Sequence, residues 1–347
     1  MALRRVTIQD VADACGLSRN TVSKVFNNRG TVQEPTRQAV LKAAQELGYF
    51  QFPQENQSTP EARGQSIALL TSHMPTDYHF GTLFIPAFAA QISRAGYTLM
   101  MHELSEEELR LGSLPPHISL EQTAGFIGIE LFDKDYVDRL CERGLPTIIA
   151  DGVQGSNISL MNCDWISMEN LSSTVALVEQ VIAKGARKIG FIGDPEHCNS
   201  FYERWTGFCS ALQKAGIPLD AALCILERDD SPYGDPAWLA DKLRQMPELP
   251  DALVCVNDFV AIHTMSALKQ MGISIPDRVM VTGFDGTAQS AVVEPSLTTV
   301  QIPSAEIGRL AADTLLNRIE NPDRPFCCVY VKTTPILRET TARTANR

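Results

Sequence analysis

The chain has 347 residues, of which 44% are hydrophobic and 20% are charged, and this composition indicates a folded globular protein rather than a disordered one. No apolar stretch approaches the ~20 residues that a membrane-spanning helix requires, and the first residues, MALRRVTIQD, lack the apolar segment of a secretory signal. A cytoplasmic protein of two or three domains is therefore expected. The nine cysteines include no CxxC pair, so no disulfide framework, metal site or cofactor is predicted.

The charge is unevenly distributed along the chain. The formal net charge is −11, yet residues 1–50 contain seven basic and four acidic residues. This segment therefore carries +3, and the rest of the chain carries −14. A mildly basic head on an acidic body indicates a separate N-terminal module with a partner of its own, since the acidic body would itself be repelled by DNA.

Residues 7–27, TIQDVADACGLSRNTVSKVFN, predict two short helices separated by a glycine turn. Thr7 can cap the first helix, and Asp10 three residues later completes a capping-box pattern. Ser18 can cap the second helix, whose apolar residues recur at the i, i+3, i+4 spacing of one buried face. A third helix is predicted from about Pro35, a residue type favoured in a first helical turn.

Helix, glycine turn, helix and supporting helix form the layout of the helix-turn-helix motif, whose second helix enters the major groove of DNA. Arg19 and Lys24 can contact guanine edges and Asn20 can pair with adenine, while nearby hydroxyl and amide groups can hold phosphates. The predicted DNA-binding residues are Thr7, Ser18, Arg19, Asn20, Thr21, Ser23, Lys24 and Asn27. The alternative is a solvated three-helix module that docks on another protein.

Residues 7–49 resemble the DNA-binding head of the lac-repressor family of bacterial regulators. The family pattern runs T-I-x-D-V-A, then G-V-S-x-x-T-V-S-R-V-L-N, then T-R-x-x-V-x-x-A-x-x-L-G-Y, and the chain follows it closely. The resemblance implies that residues 1–50 are a sequence-specific DNA-binding head. It assigns base reading mainly to Arg19, Asn20 and Lys24.

The linker of residues 51–65 departs from the family pattern. Members of the family carry here a hinge helix whose Leu wedges into a central minor-groove base step and kinks the duplex. In this chain Ser58 occupies that Leu position, and Pro60 lies inside the expected helix, at a cost of ~3 kcal/mol or more. The prediction is DNA binding through the heads and a flexible tether, with a smaller operator bend. The alternative is a displaced hinge helix around residues 59–65.

From Ser66 onward, strand-like apolar runs alternate with helical patterns, which predicts βαβ units and parallel sheets covered on both faces by helices. The predicted strands are SIALLTS, YTLMMHE, GFIGIE, PTIIAD, RKIGFIGD, ALCILE, ALVCVND and VMVTGFD. The length of the segment fits two such lobes. Ligands in sheets of this kind bind beyond the carboxyl ends of the strands, so the polar residues that follow each strand are the candidate contacts.

The sequence does not indicate an enzyme. It contains no G-x-G-x-x-G, no G-x-x-x-x-G-K-[ST] and no G-x-S-x-G motif, and its six histidines are dispersed. A dehydrogenase or sugar kinase, with Asp285 as a lone catalytic group at a strand end, is retained as an alternative.

The body resembles the effector domain of the same family. The segments that carry the resemblance are AKGARKIGFIGD, SFYERWTGFCSAL, VNDFVAIHTMSALKQMGISIPDRVMVTGFDG, PSLTTV and ILRETT. The resemblance implies an α/β, two-lobed periplasmic-binding-protein-like fold of type I, with three crossovers and an effector between the lobes. It divides the effector-binding and dimerisation domain, residues 66–347, into an N-lobe of about 66–163 and 296–325 and a C-lobe of about 164–295 and 326–347.

The resemblance also assigns effector contacts position by position. Arginine presents a rigid fork of donors, and aspartate and asparagine can bind the hydroxyls of a sugar-like ligand. The predicted effector-binding residues are Tyr78, Asp151, Ser200, Arg204, Asn257 and Asp285. For Asp151 and Tyr78, helix capping or packing is the alternative. Asp230, with Tyr233 nearby, occupies a position where relatives often place an aromatic ring, which disfavours an anionic ligand and favours a neutral, hydroxyl-rich one.

Together these observations predict a DNA-binding transcription regulator, a repressor, controlled by a small effector such as a sugar or sugar derivative. A homodimer is expected to bind a pseudo-palindromic operator, because two-fold symmetry sets the spacing of the half-sites. No membrane partner is expected. A small-molecule-binding module with a vestigial DNA-binding head is the alternative from another functional class.

Overall fold

A computed structural model describes residues 7–26, 32–47, 65–74, 81–152, 154 and 161–343. The chain divides into two compact units, Met1–Thr59 and Pro60–Arg347, which are called the head and the body. Among the described helices, none is both long enough and apolar enough to cross a membrane.

Several sequence predictions fall outside the described residues. They are the DNA contact of Asn27, the effector contact of Tyr78, and the linker features at Ser58 and Pro60. The absence of a hinge wedge, the flexible tether and the smaller operator bend therefore stay predictions.

The head contains three helices: α1 (Ile8–Cys15), α2 (Arg19–Phe26) and α3 (Glu34–Glu46). The predicted capping box of α1 is confirmed, because Thr7 Oγ1 accepts the Asp10 amide at 3.3 Å and Asp10 Oδ2 accepts the Thr7 amide at 2.7 Å. Gly16 ends α1 with a φ of 63°, a left-handed conformation that glycine adopts without steric cost. The helices pack around a small core of Val11, Ala12, Val22, Val25, Val40 and Ala44.

The body contains eleven described strands and nine described α-helices. The strands are β1 (Ser66–Thr71), β2 (Thr98–Glu103), β3 (Thr123–Ile129), β4 (Thr147–Ala150), β5 (Asp164–Met168), β6 (Ile189–Ile192), β7 (Ala252–Cys255), β8 (Met280–Thr282), β9 (Thr299–Gln301), β10 (Cys328–Val331) and β11 (Thr334–Ile336). The helices are α4 (Gly81–Arg94), α5 (Glu106–Leu111), α6 (Lys134–Cys141), α7 (Leu171–Ala183), α8 (Asn199–Lys214), α9 (Pro236–Gln245), α10 (Asp258–Gln270), α11 (Ala288–Val292) and α12 (Ser304–Glu320).

The first lobe is built on a six-stranded sheet in the order β10-β5-β4-β3-β1-β2, in which all pairs are parallel. Strands β1, β3, β4 and β5 are buried along their whole length, as expected for a parallel sheet covered on both faces. Helices α4 and α12 contribute to the core on one face, and α6 packs in a second core. The α4–α12 contact requires Gly308, where a Cβ atom would lie 2.4 Å from the carbonyl oxygen of Phe84.

The second lobe is built on a three-stranded parallel sheet in the order β6-β7-β8. Residues of α7, α8, α9 and α10 share one apolar core with these strands. The chain leaves the first lobe after β5, returns to it at α12, and leaves it again after β10, where β11 pairs antiparallel with β9. These three crossovers confirm the predicted two-lobed topology.

The structure corrects the predicted lobe bounds and strands. Asp164–Met168 and Cys328–Val331 were assigned to the C-lobe, but both belong to the first-lobe sheet, where they pair with each other. Asp164 is held there by a two-point ion pair with Arg318 of α12, at 2.9 and 3.0 Å. The predicted strand ALCILE is also wrong: Ala221–Leu223 is a 3-10 helix capped by Asp220, and the segment touches β6 through a single bridge at Ile225.

Candidate functional site

The outer face of α2 in the head is polar and exposed. Arg19, Asn20 and Lys24 are exposed, whereas Thr21 and Ser23 are half-buried. The opposite face of α2, with Val22 and Val25, is buried in the core of the head. The three side chains predicted to read bases are therefore available to a duplex on the solvent side of the helix.

Two hydroxyl residues of the predicted DNA-binding set also begin helices. Thr7 is the N-cap of α1. Ser18 Oγ accepts the Thr21 amide at 3.1 Å and bonds to the Thr21 hydroxyl at 2.9 Å, so Ser18 begins α2. Both are exposed, which leaves room for a phosphate oxygen beside the capping bond.

A cleft of about 690 Å³ lies between the two lobes at the carboxyl ends of their strands. The polar part of its lining includes residues that follow a strand or lie near the start of the next helix: Glu130 after β3, Asp151 after β4, Ser200 on α8, Asn257 after β7 and Asp285 after β8. The lining residues are His73, Met74, Glu103, Glu130, Phe132, Asp151, Met168, His197, Cys198, Ser200, Phe201, Arg204, Asp229, Ser231, Tyr233, Gly234, Asn257, Phe259, Val260 and Asp285.

Arg204 is buried in the wall of this cleft, with 3% of its surface exposed. Its Nε donates to Asn170 Oδ1 at 3.0 Å and its Nη1 donates to the carbonyl oxygen of Val256 at 2.9 Å. Nη1 also lies 3.2 Å from Asp285 Oδ1, and the guanidinium carbon lies 3.8 Å from the ring centre of Phe284. These contacts fix the guanidinium fork in one orientation, as rigid recognition of a ligand requires.

Asp285 lies in strained backbone beside Arg204, with a φ of 115°. Burial raises the pKa of Asp285 to about 8, although the Arg204 guanidinium acts in the opposite direction and Asp258 and Asp151 add to the rise. Because the carboxyl is poised between its two protonation states, it can donate or accept a hydrogen bond when a ligand hydroxyl approaches.

Asp151 and Ser200 form a second polar group that bridges the two lobes. Ser200 Oγ donates to Asp151 Oδ2 at 2.7 Å, and Cys198 Sγ lies 3.1 Å from Ser200 Oγ. Asp151 is 4% exposed, and its other oxygen, Oδ1, has no hydrogen-bond partner among the described residues. Burial raises the pKa of Asp151 to about 6, with the hydrogen bond from Ser200 lowering it.

Asn257 has a structural bond as well as a place in the cleft. Its Oδ1 accepts the Val260 amide at 2.9 Å and caps α10, which leaves the side-chain NH₂ as the hydrogen-bond donor of this residue. The adjacent Asp258, buried completely, bonds to Thr287 and Thr299. Asp258 therefore secures the second lobe beneath the cleft rather than lining it.

Glu130 and the aromatic residues were missed by the sequence analysis. Glu130 ends the predicted strand GFIGIE and lines the cleft, so the rule that polar residues follow strands could have found it. Burial, and then the nearby Asp151 carboxyl, raise the pKa of Glu130 to about 7. The rings of Phe132 and Phe201 lie 4.7 and 5.1 Å from the ring of His197, measured between centroids, and no sequence signal links these three positions.

The expectation for Asp230 is corrected by the structure. Asp230 is exposed, pairs with Arg228 and is absent from the lining, which contains Asp229 instead. Tyr233 does line the cleft, but its hydroxyl donates to the carbonyl oxygen of Glu227 at 2.6 Å. The acidic character inferred for this side of the cleft is therefore supplied by Asp229.

The structure thus brings five of the six predicted effector-binding residues to one cleft: Asp151, Ser200, Arg204, Asn257 and Asp285. The sixth, Tyr78, lies outside the described residues. In the described parts of the chain, no group of three or more histidine, cysteine or acidic side chains is arranged to hold a metal ion.

Two family models match the sequence. The model described as "Bacterial regulatory proteins, lacI family" matches residues 7–51, and the model described as "Periplasmic binding protein-like domain" matches residues 178–341. The HTH-type transcriptional repressor CytR of Escherichia coli (strain K12) is 26% identical over 317 residues, which is 90% of each chain. The HTH-type transcriptional repressor PurR of Haemophilus influenzae (strain PittEE) is 26% identical over 325 residues, 91% of this chain and 92% of that protein.

Solved structures show the same fold. The transcriptional regulator CelR, solved as a cellobiose complex, has a TM-score of 0.70 at 24% identity and covers 97% of this chain and 100% of its own. The lac repressor dimer bound to operator and an anti-inducer has a TM-score of 0.66 at 23% identity and covers 97% of this chain and 99% of its own. The head thus matches the lacI family model and the body matches the periplasmic-binding-protein-like model, and the chain is similar over about nine-tenths of its length to transcriptional repressors.

Proposed function

We propose that this protein is a transcription repressor whose affinity for operator DNA is set by a small sugar or sugar derivative bound in the cleft of the body. The proposal rests on one observation. The same chain has an exposed polar helix in its head, α2, and a polar cleft between the two lobes of its body. Repressors of the same family match nearly the whole chain.

In the head, Arg19, Asn20 and Lys24 are the proposed base contacts, because they are the exposed residues of α2 and their side chains match guanine and adenine edges. Thr7, Ser18, Thr21 and Ser23, together with Asn27, are the proposed phosphate contacts. The basic head supplies the favourable electrostatics that the acidic body lacks.

In the body, the proposed effector contacts come from both lobes. Asp151 belongs to the first lobe, while Ser200, Arg204, Asn257 and Asp285 belong to the second. A ligand that bridges these groups stabilises one arrangement of the lobes over others, and it can shift operator affinity only by its difference in affinity for those arrangements. The sign of the response, induction or co-repression, follows from which arrangement the ligand prefers.

The class of the effector and the assembly are inferred by likeness. Neighbours of the same fold were solved with cellobiose, with ribose, and as a dimer on operator DNA. We accordingly propose a sugar-like ligand, a homodimer and a pseudo-palindromic operator. A cytoplasmic location and the lack of catalytic turnover are part of the same proposal, since the family consists of DNA-binding regulators.

The proposal is tested by selecting bound duplexes from random-sequence DNA with the full-length protein. A pseudo-palindrome should be enriched, and Arg19→Ala should relax one base pair in each half-site, by ~1–3 kcal/mol. Arg244→Ala, which removes an exposed arginine of the body, is the control and should leave the selected sequence unchanged. If no sequence is enriched, the head does not read DNA and the chain is a small-molecule-binding module.

A further inference from the structure

The cleft between the lobes carries an excess of acidic groups. Its lining includes the carboxyl groups of Glu103, Glu130, Asp151, Asp229 and Asp285, against one guanidinium, that of Arg204. The lining histidines are His73 and His197, and His197 Nδ1 lies 3.4 Å from Asp229 Oδ2. A ligand with a negative group would therefore meet more carboxyl groups than cations in the cleft.

Two of the hydrogen-bond donors that line the cleft, Arg204 and Ser200, already make bonds within the protein. Arg204 donates to Asn170 and Val256 and lies against Asp285. The Ser200 hydroxyl donates to Asp151 Oδ2. The cleft therefore offers a ligand mainly hydrogen-bond acceptors, and it favours a ligand that is rich in hydrogen-bond donors.

One carboxylate oxygen of the cleft lining, that of Asp151, receives no hydrogen bond from the described residues. Asp151 Oδ1 has no hydrogen-bond partner among the described residues, although Asp151 is 4% exposed and lines the cleft. A buried carboxylate oxygen left without a donor is costly. A hydrogen-bond donor of the ligand can bind to this oxygen of Asp151.

Glu130 lies beside Asp151 at the same edge of the sheet. Their strands pair in parallel, with Ile129 opposite Ala150, so the next residue of each strand places the two acids next to each other. Both are buried, and two carboxylates held close together in a buried site repel each other, a repulsion that a positive group bound between them would relieve. The Asp151 carboxyl contributes to the raised pKa of Glu130.

Acidic residues of the cleft lining also have strained backbone conformations. In the described part of the chain, the non-glycine residues with positive φ are Glu130 at 49°, Asp151 at 61° and Asp285 at 115°. Conformations of this kind carry a steric cost for residues other than glycine, and they persist where the surroundings hold the side chain in place. All three are acids of the cleft lining.

From these contacts we propose that the effector carries a positively charged amino group, which binds between Asp151 and Glu130, while hydroxyls of the same molecule bind Arg204, Asn257 and Asp285. The ligand is then an amino sugar or a comparable polyhydroxylated amine. An ammonium group supplies three donors and no acceptor, and its bonds to carboxylates are charge-assisted. A metal ion is a poorer occupant, since the described residues contain no three-ligand cluster. The inference rests on the proposed function of the cleft as the effector site.

The test is a binding comparison within matched sugar sets, using the full-length protein. Each set contains an amino sugar, its N-acetyl derivative, the neutral parent sugar and the corresponding uronic acid, for the gluco, galacto and manno configurations. Thermal shift identifies binders, and calorimetry gives the dissociation constants. The expected result is that one amino sugar binds at least ~10-fold more tightly than its N-acetyl and neutral counterparts, while the uronic acids do not bind.

Variants locate the amino group. Asp151→Asn and Glu130→Gln should each reduce the ratio of the amino-sugar affinity to the neutral-sugar affinity by ~10-fold or more. Asp230→Asn, which removes an exposed acid outside the lining, should leave the preference unchanged. The matched sets on the unmodified protein give an answer even if a variant fails to fold.

The proposal is overturned if a neutral or acidic sugar binds as tightly as its amino counterpart, or if no amino sugar binds. Operator selection separates this failure from failure of the proposed function. If the protein selects a palindrome but shows no preference for amino sugars, only the charge of the effector has been misassigned. If it selects no DNA sequence, the regulatory function fails whatever the cleft binds.

Discussion

Replacing Asp285 by asparagine should make the body less sensitive to alkaline pH. Asparagine keeps the shape of the side chain and can still bond to Arg204, but it cannot ionise. In the folded protein, burial raises the pKa of Asp285 from 3.8 to about 8. A carboxyl whose pKa is raised on folding contributes its full stabilisation below the unfolded pKa, and this stabilisation is lost as the pH rises through the folded pKa.

The size of the effect follows from the difference between the unfolded and the folded pKa of Asp285. The folded state retains nearly one more proton at this group than the unfolded state at pH 6, and about half a proton more at pH 8, where the pH equals the folded pKa. The free energy of unfolding therefore falls by ~2 kcal/mol over the two units. The Asp285→Asn variant lacks this loss, so its stability relative to the unmodified protein should rise by that amount from pH 6 to pH 8.

Urea unfolding followed by tryptophan fluorescence measures the difference, because Trp165, Trp205 and Trp238 all lie in the body. Curves at pH 6, 7, 8 and 9 and constant ionic strength are compared for the two proteins. Asp230→Asn is the control, since it removes an exposed carboxyl. Parallel pH profiles for Asp285→Asn and the unmodified protein would refute the reasoning, because they would mean that Arg204 keeps Asp285 ionised against the effect of burial.

The remaining predictions concern buried pairs and close packing, and the same unfolding assay checks each of them. Arg204→Met should lower the stability of the body by ~1–3 kcal/mol at pH 8, since it removes the donor to Asn170 and Val256 and the cation beside Asp285, and adding Asp285→Asn should recover part of the loss; a full loss in the double variant would contradict this. Arg318→Met should lower the free energy of unfolding by ~3–5 kcal/mol, because it leaves the Asp164 carboxylate buried without its cation; an unchanged free energy would contradict this. Gly308→Ala should cost ~1–3 kcal/mol, since its Cβ meets the carbonyl oxygen of Phe84, and an unchanged midpoint would show that α4 and α12 can separate without cost.

The head was predictable because its signals are local. The capping pattern of Thr7 and Asp10 lies within four residues, and the structure contains both of its hydrogen bonds. The glycine turn and the spacing of Val22 and Val25 fix which side of α2 is buried. Exposure of Arg19, Asn20 and Lys24 then follows from helical periodicity alone.

Much of the cleft was also predictable, for a topological reason. The carboxyl ends of parallel strands meet at one edge of a sheet, so Asp151 and Asp285 could each be placed at such an edge from their positions after apolar runs. That the edges of the two sheets face one cleft followed from the family resemblance. What sequence could not give is the set of contacts between distant segments. The bond from Arg204 to Asn170 joins residues 34 apart, and nothing in the local sequence predicts it.

The wrong and missed strands also have physical causes. ALCILE has the apolar character of a strand, but Asp220 caps a 3-10 helix at its start, and only Ile225 bridges to β6. DWISM begins with an aspartate, a residue type depleted in strands. Asp164 is tolerated because Arg318, which is 154 positions away, supplies two hydrogen bonds to it.

The central claim, that the cleft controls DNA binding, is tested most directly by one titration. A fluorescent duplex carrying the selected operator is bound to the full-length protein, and the dissociation constant is measured by anisotropy with and without a saturating cleft ligand. The account predicts a change of ~5–150-fold, the range of a coupling free energy of 1–3 kcal/mol, and loss of that change in Asp285→Ala. An operator affinity that stays constant while calorimetry shows the cleft occupied would contradict the account.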